Sequence, residues 1–77
     1  MADSVLIVED EQKIALLLRD FLRQDGFEVT MLHDGTDAVA SILDLQPSIV
    51  LLDLNLPGKD GLTICREVRA ESTVPII

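Results

Sequence analysis

Three acids carry the chemical signal in this chain: Glu9, Asp10 and Asp53. Glu9-Asp10-Glu11 follows the apolar run Val5-Leu6-Ile7-Val8 without a break, and Asp53 follows Ile49-Val50-Leu51-Leu52 in the same way. Asp53 then opens a stretch containing Pro57-Gly58 and Asp60-Gly61, which is loop chemistry. A carboxylate that ends a strand buried on both faces needs a reason, because acids are rarely buried without a partner. If the two runs are neighbouring strands, Glu9, Asp10 and Asp53 converge on one crevice. Converging like charges oppose one another unless something positive sits among them. A hard divalent cation answers that need. Mg²⁺ takes oxygen ligands in octahedral geometry and keeps several waters. One or two carboxylates plus a backbone carbonyl suit it, and the carbonyl of Asn55, two residues beyond Asp53, is placed to be that ligand.

The elements that must position these acids follow from periodicity. Ser4–Val8 and the run from Ile49 to Asp53 are continuous apolar segments, the pattern of strands buried on both faces. Glu28–Leu32 is more mixed and reads as a strand nearer an edge. A helix is expected over Glu11–Gln24, with Ile14, Leu17, Leu18, Phe21 and Leu22 as one apolar stripe and Gly26 as its left-handed cap. A second is expected over Thr36–Leu45, stopped by Gln46-Pro47, and a third over Leu62–Ala70, burying Leu62, Cys65 and Val68. Val74-Pro75-Ile76-Ile77 begins like a fourth strand. The order β-α-β-α-β-α-β with short connections implies parallel strands, right-handed crossovers and helices on both faces. In such doubly wound α/β sheets, ligands bind beyond the carboxyl ends of the strands at the switch point, where the acids would be.

Composition narrows the function classes. The 77 residues fit one small domain, and a core made from 48% apolar residues with two aromatics, Phe21 and Phe27, is aliphatic. A net charge of −8 argues against binding to nucleic acid or an anionic membrane by this segment. No apolar run approaches the ~20 residues of a membrane span. The lone Cys65 has no internal disulfide partner, which suits a reducing, cytoplasmic setting. Several residues have plain structural readings: Glu11 as a helix cap, Lys59 and Asp60 as solvated or capping loop residues, His33 as a surface residue beside a turn, and Cys65 as a small buried hydrophobe.

Together these residues resemble the receiver domain of bacterial two-component response regulators. The resemblance rests on Val5-Leu6-Ile7-Val8-Glu9-Asp10-Glu11 and on Ile49-Val50-Leu51-Leu52-Asp53-Leu54-Asn55-Leu56-Pro57-Gly58-Lys59-Asp60-Gly61. Asp34-Gly35, Cys65-Arg66-Glu67-Val68-Arg69 and Val74-Pro75-Ile76-Ile77 add lesser matches over the rest of the chain, residues 1–77. It implies a flavodoxin-like (CheY-like) sheet, here incomplete with order 2-1-3-4. It implies that Asp53 accepts a phosphoryl group from a sensor histidine kinase, and that Asp10 binds Mg²⁺ directly and Glu9 directly or through water. The Asn55 carbonyl would complete the protein ligands. The kinase would meet the face bearing the first helix, with Ile14, Ala15 and Leu18 as candidate contacts, although Leu18 also reads as core. The opening is similar to receivers joined to winged-helix (OmpR-like) transcription factors, so regulation of transcription through an attached output domain is expected of the parent.

The family pattern continues through a hydroxyl residue after the fourth strand and a lysine after the fifth, beyond Ile77. The expectation is therefore a metal site and phosphoacceptor without the switch, and a fourth-strand edge open to pairing in a homodimer. Two readings from other classes are weighed beside it. A Mg²⁺ phosphatase of the haloacid dehalogenase type wants Asp-x-Asp, but Asn55 holds the second position. A flavin-binding module wants a loop of amides and hydroxyls, whereas carboxylates ring this crevice.

Overall fold

Val5, Leu6, Ile7 and Val8 are all buried, and they put β1 (Ser4–Val8) at the centre of the sheet. The computed structural model describes residues 3–77. β2 (Glu28–Leu32) pairs in parallel on one side of β1 and β3 (Ile49–Leu52) on the other, giving the order β2-β1-β3. The edge position read for β2 is the one observed. Beyond β3 the expected fourth strand is present only as a bridge between Val50 and Ile76. The backbone bonds Val50 N–H to Pro75 O, Ile77 N–H to Val50 O and Leu52 N–H to Ile77 O are each 2.9 Å long. Three residues cannot build more than that rung, and Pro75 has no N–H to offer. The side of β3 it takes is the one the order 2-1-3-4 requires.

The helices cover the sheet unequally. α2 (Ala38–Leu45) and α3 (Gly61–Arg69) pack on one face, where Ala38, Ile42, Ile64 and Val68 meet Leu6, Val8, Val50 and Leu52. α1 (Gln12–Gln24) lies alone on the other, with Ala15 against Val5 and Ile7. Here the stripe read from the sequence splits. Ala15, Leu18 and Leu22 face the sheet, while Ile14, Leu17 and Phe21 are 46%, 70% and 69% exposed. A single helix turns about 100° of its surface inward, and the expected stripe was wider than that. In α3 the inward set is Gly61, Ile64 and Val68 with Cys65 half-buried, and Leu62 is 62% exposed. The helix begins one residue earlier than expected, on a glycine with no side chain to show in a pattern.

The ends of the helices carry their own logic. Gly26 adopts φ 90° after α1, and its N–H and that of Phe27 close on Arg23 O and Leu22 O, a full Schellman cap. Glu11 occupies the start of α1, but its side chain accepts no capping bond, so its expected capping role is not realised. α2 starts at Ala38 rather than Thr36, because Asp34 accepts the Thr36 N–H at 2.9 Å and holds that segment in a turn. α2 ends on Gln46 at φ 49°, a left-handed conformation unusual for a residue with a side chain.

Two outcomes check this packing. Phe21→Gln on the exposed ridge of α1 should change stability by less than about 0.5 kcal/mol, whereas Ile64→Ala in the core should cost about 3 kcal/mol. Urea unfolding measures both, and a large loss for Phe21→Gln would contradict the orientation of α1.

Candidate functional site

Backbone pairing places the acids. Asp53 is the first residue after β3, and its N–H donates to Val8 O at 3.0 Å. Glu9 is the first residue after β1, and its N–H donates to Leu32 O at 2.9 Å. The carboxyl ends of the central strand and its neighbour are thereby laid side by side, at the sheet's switch point. Asp10 lies in the three-residue link Glu9–Glu11 before α1. Carboxylate oxygens of Glu9, Asp10 and Asp53 all lie within 4.8 Å of one another. The sequence reading that these acids converge is what the structure shows.

The loop after Asp53 is wound tightly. Asp53 Oδ1 accepts the Asn55 N–H at 3.1 Å, which fixes the carboxylate's rotation. Thus Asn55 stands beside Asp53 through its amide. Gly61 packs so closely that a Cβ there would lie 2.8 Å from Asp53 O and 2.7 Å from the Leu54 Cα. Gly35 donates its N–H to Pro57 O at 3.0 Å, and a Cβ on it would lie 1.8 Å from Lys59 O. These contacts lock the β2–α2 and β3–α3 loops together. Sequence reasoning saw Gly35 and Gly61 only as turn residues. Their close backbone approaches have no signature beyond the glycine itself.

Asp60 caps α3, its carboxylate accepting Thr63 N–H at 2.9 Å and the Thr63 hydroxyl at 3.1 Å. Those bonds, the backbone one first, hold its pKa below the usual carboxylate range. Lys59 pairs with Glu67 at 2.6 Å. The ion pairs found among the described residues, Lys59–Glu67 and Arg19–Asp20, both leave the three acids unneutralised. His33 is exposed, as expected, but its ring also touches Glu9 O at 3.2 Å.

The electrostatics show what the pocket lacks. Glu9 Oε2 is enclosed, with no hydrogen-bond partner in the protein. The Glu9 carboxyl is pushed up to about 7, first by a proton shared with Asp53, then by burial, then by the charges of Asp53 and Asp10. Asp53 is held below the usual range, first by Glu9 and then by the Asn55 N–H. Without a cation, a proton on Glu9 lowers the local charge. An enclosed, unpartnered oxygen inside a cluster of acids is the donor set a hard divalent ion prefers. A hollow of about 260 Å³ runs beside it, lined by Glu9 and Asp53 together with Leu18, Leu51 and Ile77. A larger hollow, about 490 Å³ beside Gln46, Pro47 and Ser72, is at the opposite end of the sheet and is not lined by such a cluster.

The fold and site define a parallel α/β domain with an acidic crevice at its switch point. The chain belongs to the response regulator receiver domain family, whose profile matches residues 5–77. It is similar to the receiver domain of a modulated diguanylate cyclase from Desulfovibrio desulfuricans, with 38% identity over 97% of this chain and a TM-score of 0.86. The BeF3-activated N-terminal receiver domain of RstA from Klebsiella pneumoniae is 35% identical over 96% of this chain, with a TM-score of 0.91. The receiver domain of a sensor histidine kinase from Pseudomonas aeruginosa, which holds a magnesium ion in its active site cleft, is 34% identical over 99% of this chain, with a TM-score of 0.91. This chain covers 62%, 63% and 65% of those chains respectively, less than two thirds of each.

The raised Glu9 pKa fixes the sign of a pH effect. Its proton is bound more tightly folded than unfolded, so that stability is present below the ordinary value of 4.5 and lost as pH rises through about 7. The lowered Asp53 and Asp60 values act in the opposite sense, below their ordinary 3.8. Metal-free protein should therefore lose stability between about pH 5 and pH 8. Glu9→Gln should flatten that slope, and saturating Mg²⁺ should remove it. Thermal unfolding across pH, with chelator and with Mg²⁺, measures all three.

Proposed function

We propose that this chain is the phosphoacceptor module of a two-component response regulator, acting in the cytoplasm. Asp53 is the acceptor, and a phosphohistidine of a sensor histidine kinase is the donor. The observation that carries the reading is the convergence of Asp53 with Glu9 and Asp10 around an unpartnered, enclosed oxygen. The magnesium held by the Pseudomonas relative supports the same ion here. Asp10, Asp53 and the Asn55 carbonyl are assigned as direct ligands, and Glu9 as a ligand directly or through water.

The residues divide the work by their environments. Asp53 stays ionised at neutral pH because Glu9 and the Asn55 N–H favour its charged form. An ionised carboxylate oxygen can attack phosphorus: its P–O bond forms as the P–N bond to the donor imidazole breaks, and the imidazole nitrogen leaves with the electron pair. The Asn55 N–H holds the nucleophile's rotation while the donor approaches. Glu9 and Asp10 hold the cation, which when bound offsets the charge of the transferring oxygens. On the α1 face, the expected kinase contact at Ala15 is ruled out by its full burial, and Leu18 is turned to the core. Ile14, with its exposed neighbours Leu17 and Phe21, is the part of that face a partner helix can reach.

The phosphatase reading loses ground to one observation. Residue 55, where the dehalogenase-type motif wants a second acid, is an asparagine, whose side chain carries no acid. The module is expected to take one phosphoryl group per chain rather than turn over a free substrate. The similar receivers come from proteins as different as a diguanylate cyclase and a sensor histidine kinase, so an output through transcription rests on the resemblance of the opening residues to receivers joined to winged-helix factors.

Intact mass after incubation with Mg²⁺ and acetyl phosphate tests the proposal. One phosphoryl group should add, and it should be lost in Asp53→Ala and in chelator. Addition that survives Asp53→Ala would overturn the assignment. Steady hydrolysis of p-nitrophenyl phosphate would favour the phosphatase instead.

A further inference from the structure

The peptide unit between Glu9 and Asp10 joins two residues of the acidic pocket, so whatever fixes its plane fixes how their side chains diverge. In a parallel ladder with Val8 opposite Leu32, Glu9 should make two rungs to β2. The first is present, Glu9 N–H to Leu32 O at 2.9 Å. The second would run from the Asp34 N–H to the Glu9 carbonyl. The chain has already left the sheet there. The Asp34 carboxylate turns back to the Thr36 N–H at 2.9 Å, and the Gly35 N–H goes to Pro57 O at 3.0 Å. The Glu9 carbonyl is met instead by the imidazole of His33, with Nδ1 at 3.2 Å. A carbonyl only accepts, so the proton of that bond sits on Nδ1.

We propose that His33 is a positioning residue for the acidic pocket: its imidazole replaces the missing ladder rung and holds the Glu9–Asp10 peptide in the orientation the cation needs. Nothing in its exposure demands a core role, and its ring touches none of the three carboxylates through the bond described. It acts on Glu9 and Asp10 only through the backbone. Outer partners of this kind orient ligands without touching the metal. The inference rests on the metal-site reading given above. It also makes a claim of its own, about which ring nitrogen is protonated.

Two measurements separate those claims. Calorimetric titration of Mg²⁺ into the intact chain should show affinity weakened about three- to tenfold in His33→Ala, and close to wild type in His33→Asn, whose amide N–H can reach the same carbonyl. Nitrogen-15 spectra of neutral His33 in metal-free protein should show the Nδ1–H tautomer. Equal Mg²⁺ affinity in wild type and His33→Ala, or an Nε2–H tautomer, would overturn the inference. Absence of Mg²⁺ binding to the wild-type chain, with the Nδ1–H tautomer present, would overturn the metal-site reading and leave the backbone clamp standing.

Discussion

Parallel pairing of β1 with β3 forces Asp53 against Glu9, and the rest of the structure has to tolerate the charge that results. Two ionised acids held this close repel one another, and the surrounding solvent screens that repulsion. Each fully buried aliphatic side chain contributes about 1.5–3 kcal/mol in the other direction. Leu6, Ile7, Val8, Ile42, Val50, Ile64 and Val68 are all of that kind. The core therefore outweighs the repulsion, and the acids go where the sheet puts them. The cost is met locally, by a proton on Glu9 or by a cation in its place. That is why an unfavourable cluster persists at the end of a favourable strand pair.

The two faces of the sheet serve different ends. The face covered by α2 and α3 holds most of the buried aliphatic surface and the loop that carries Asp53. Gly35 and Gly61 let that loop close to backbone contact, so main-chain geometry helps to hold Asp53 in place. The α1 face is thinner, with Ile49 and Leu51 only half-buried. Its exposed ridge of Ile14, Leu17 and Phe21 adds little to the fold, which frees those positions to be chosen for another purpose. The buried core is thus concentrated on one side of the sheet, and the exposed apolar ridge lies on the other.

How much of this was legible in the sequence depends on the kind of information each residue carries. Strand-end acids after continuous apolar runs are a local pattern, and Glu9, Asp10 and Asp53 were readable from it. Parallel strands and right-handed crossovers followed from alternation, whereas the strand order came from the family resemblance. The inward face of α1 was not readable, because Ala15-Leu18-Leu22 and Ile14-Leu17-Phe21 have the same spacing. Only the number of helices on that face decides between them. The same limit hid Ile64, one residue out of phase with the set expected for α3. His33 was invisible for a different reason. Its contact is long-range, made because β2 turns away one residue before the ladder is complete, and a lone histidine beside a turn says nothing of that.

Chemistry at this site depends on the acids not being equivalent. Three identical carboxylates would share protons and offer no defined nucleophile. Here the side-chain hydrogen bond between Glu9 and Asp53 raises the pKa of Glu9 and, together with the Asn55 N–H, lowers that of Asp53. Environments that push paired acids apart in this way assign them different roles. The shifts favour a proton on Glu9 and the charged form of Asp53. A divalent cation held by Glu9, Asp10 and Asp53 would supply the positive charge that such a proton supplies without it. The net charge of −8 adds to the need for a positive group among these acids, because any further anion approaching the crevice meets their repulsion.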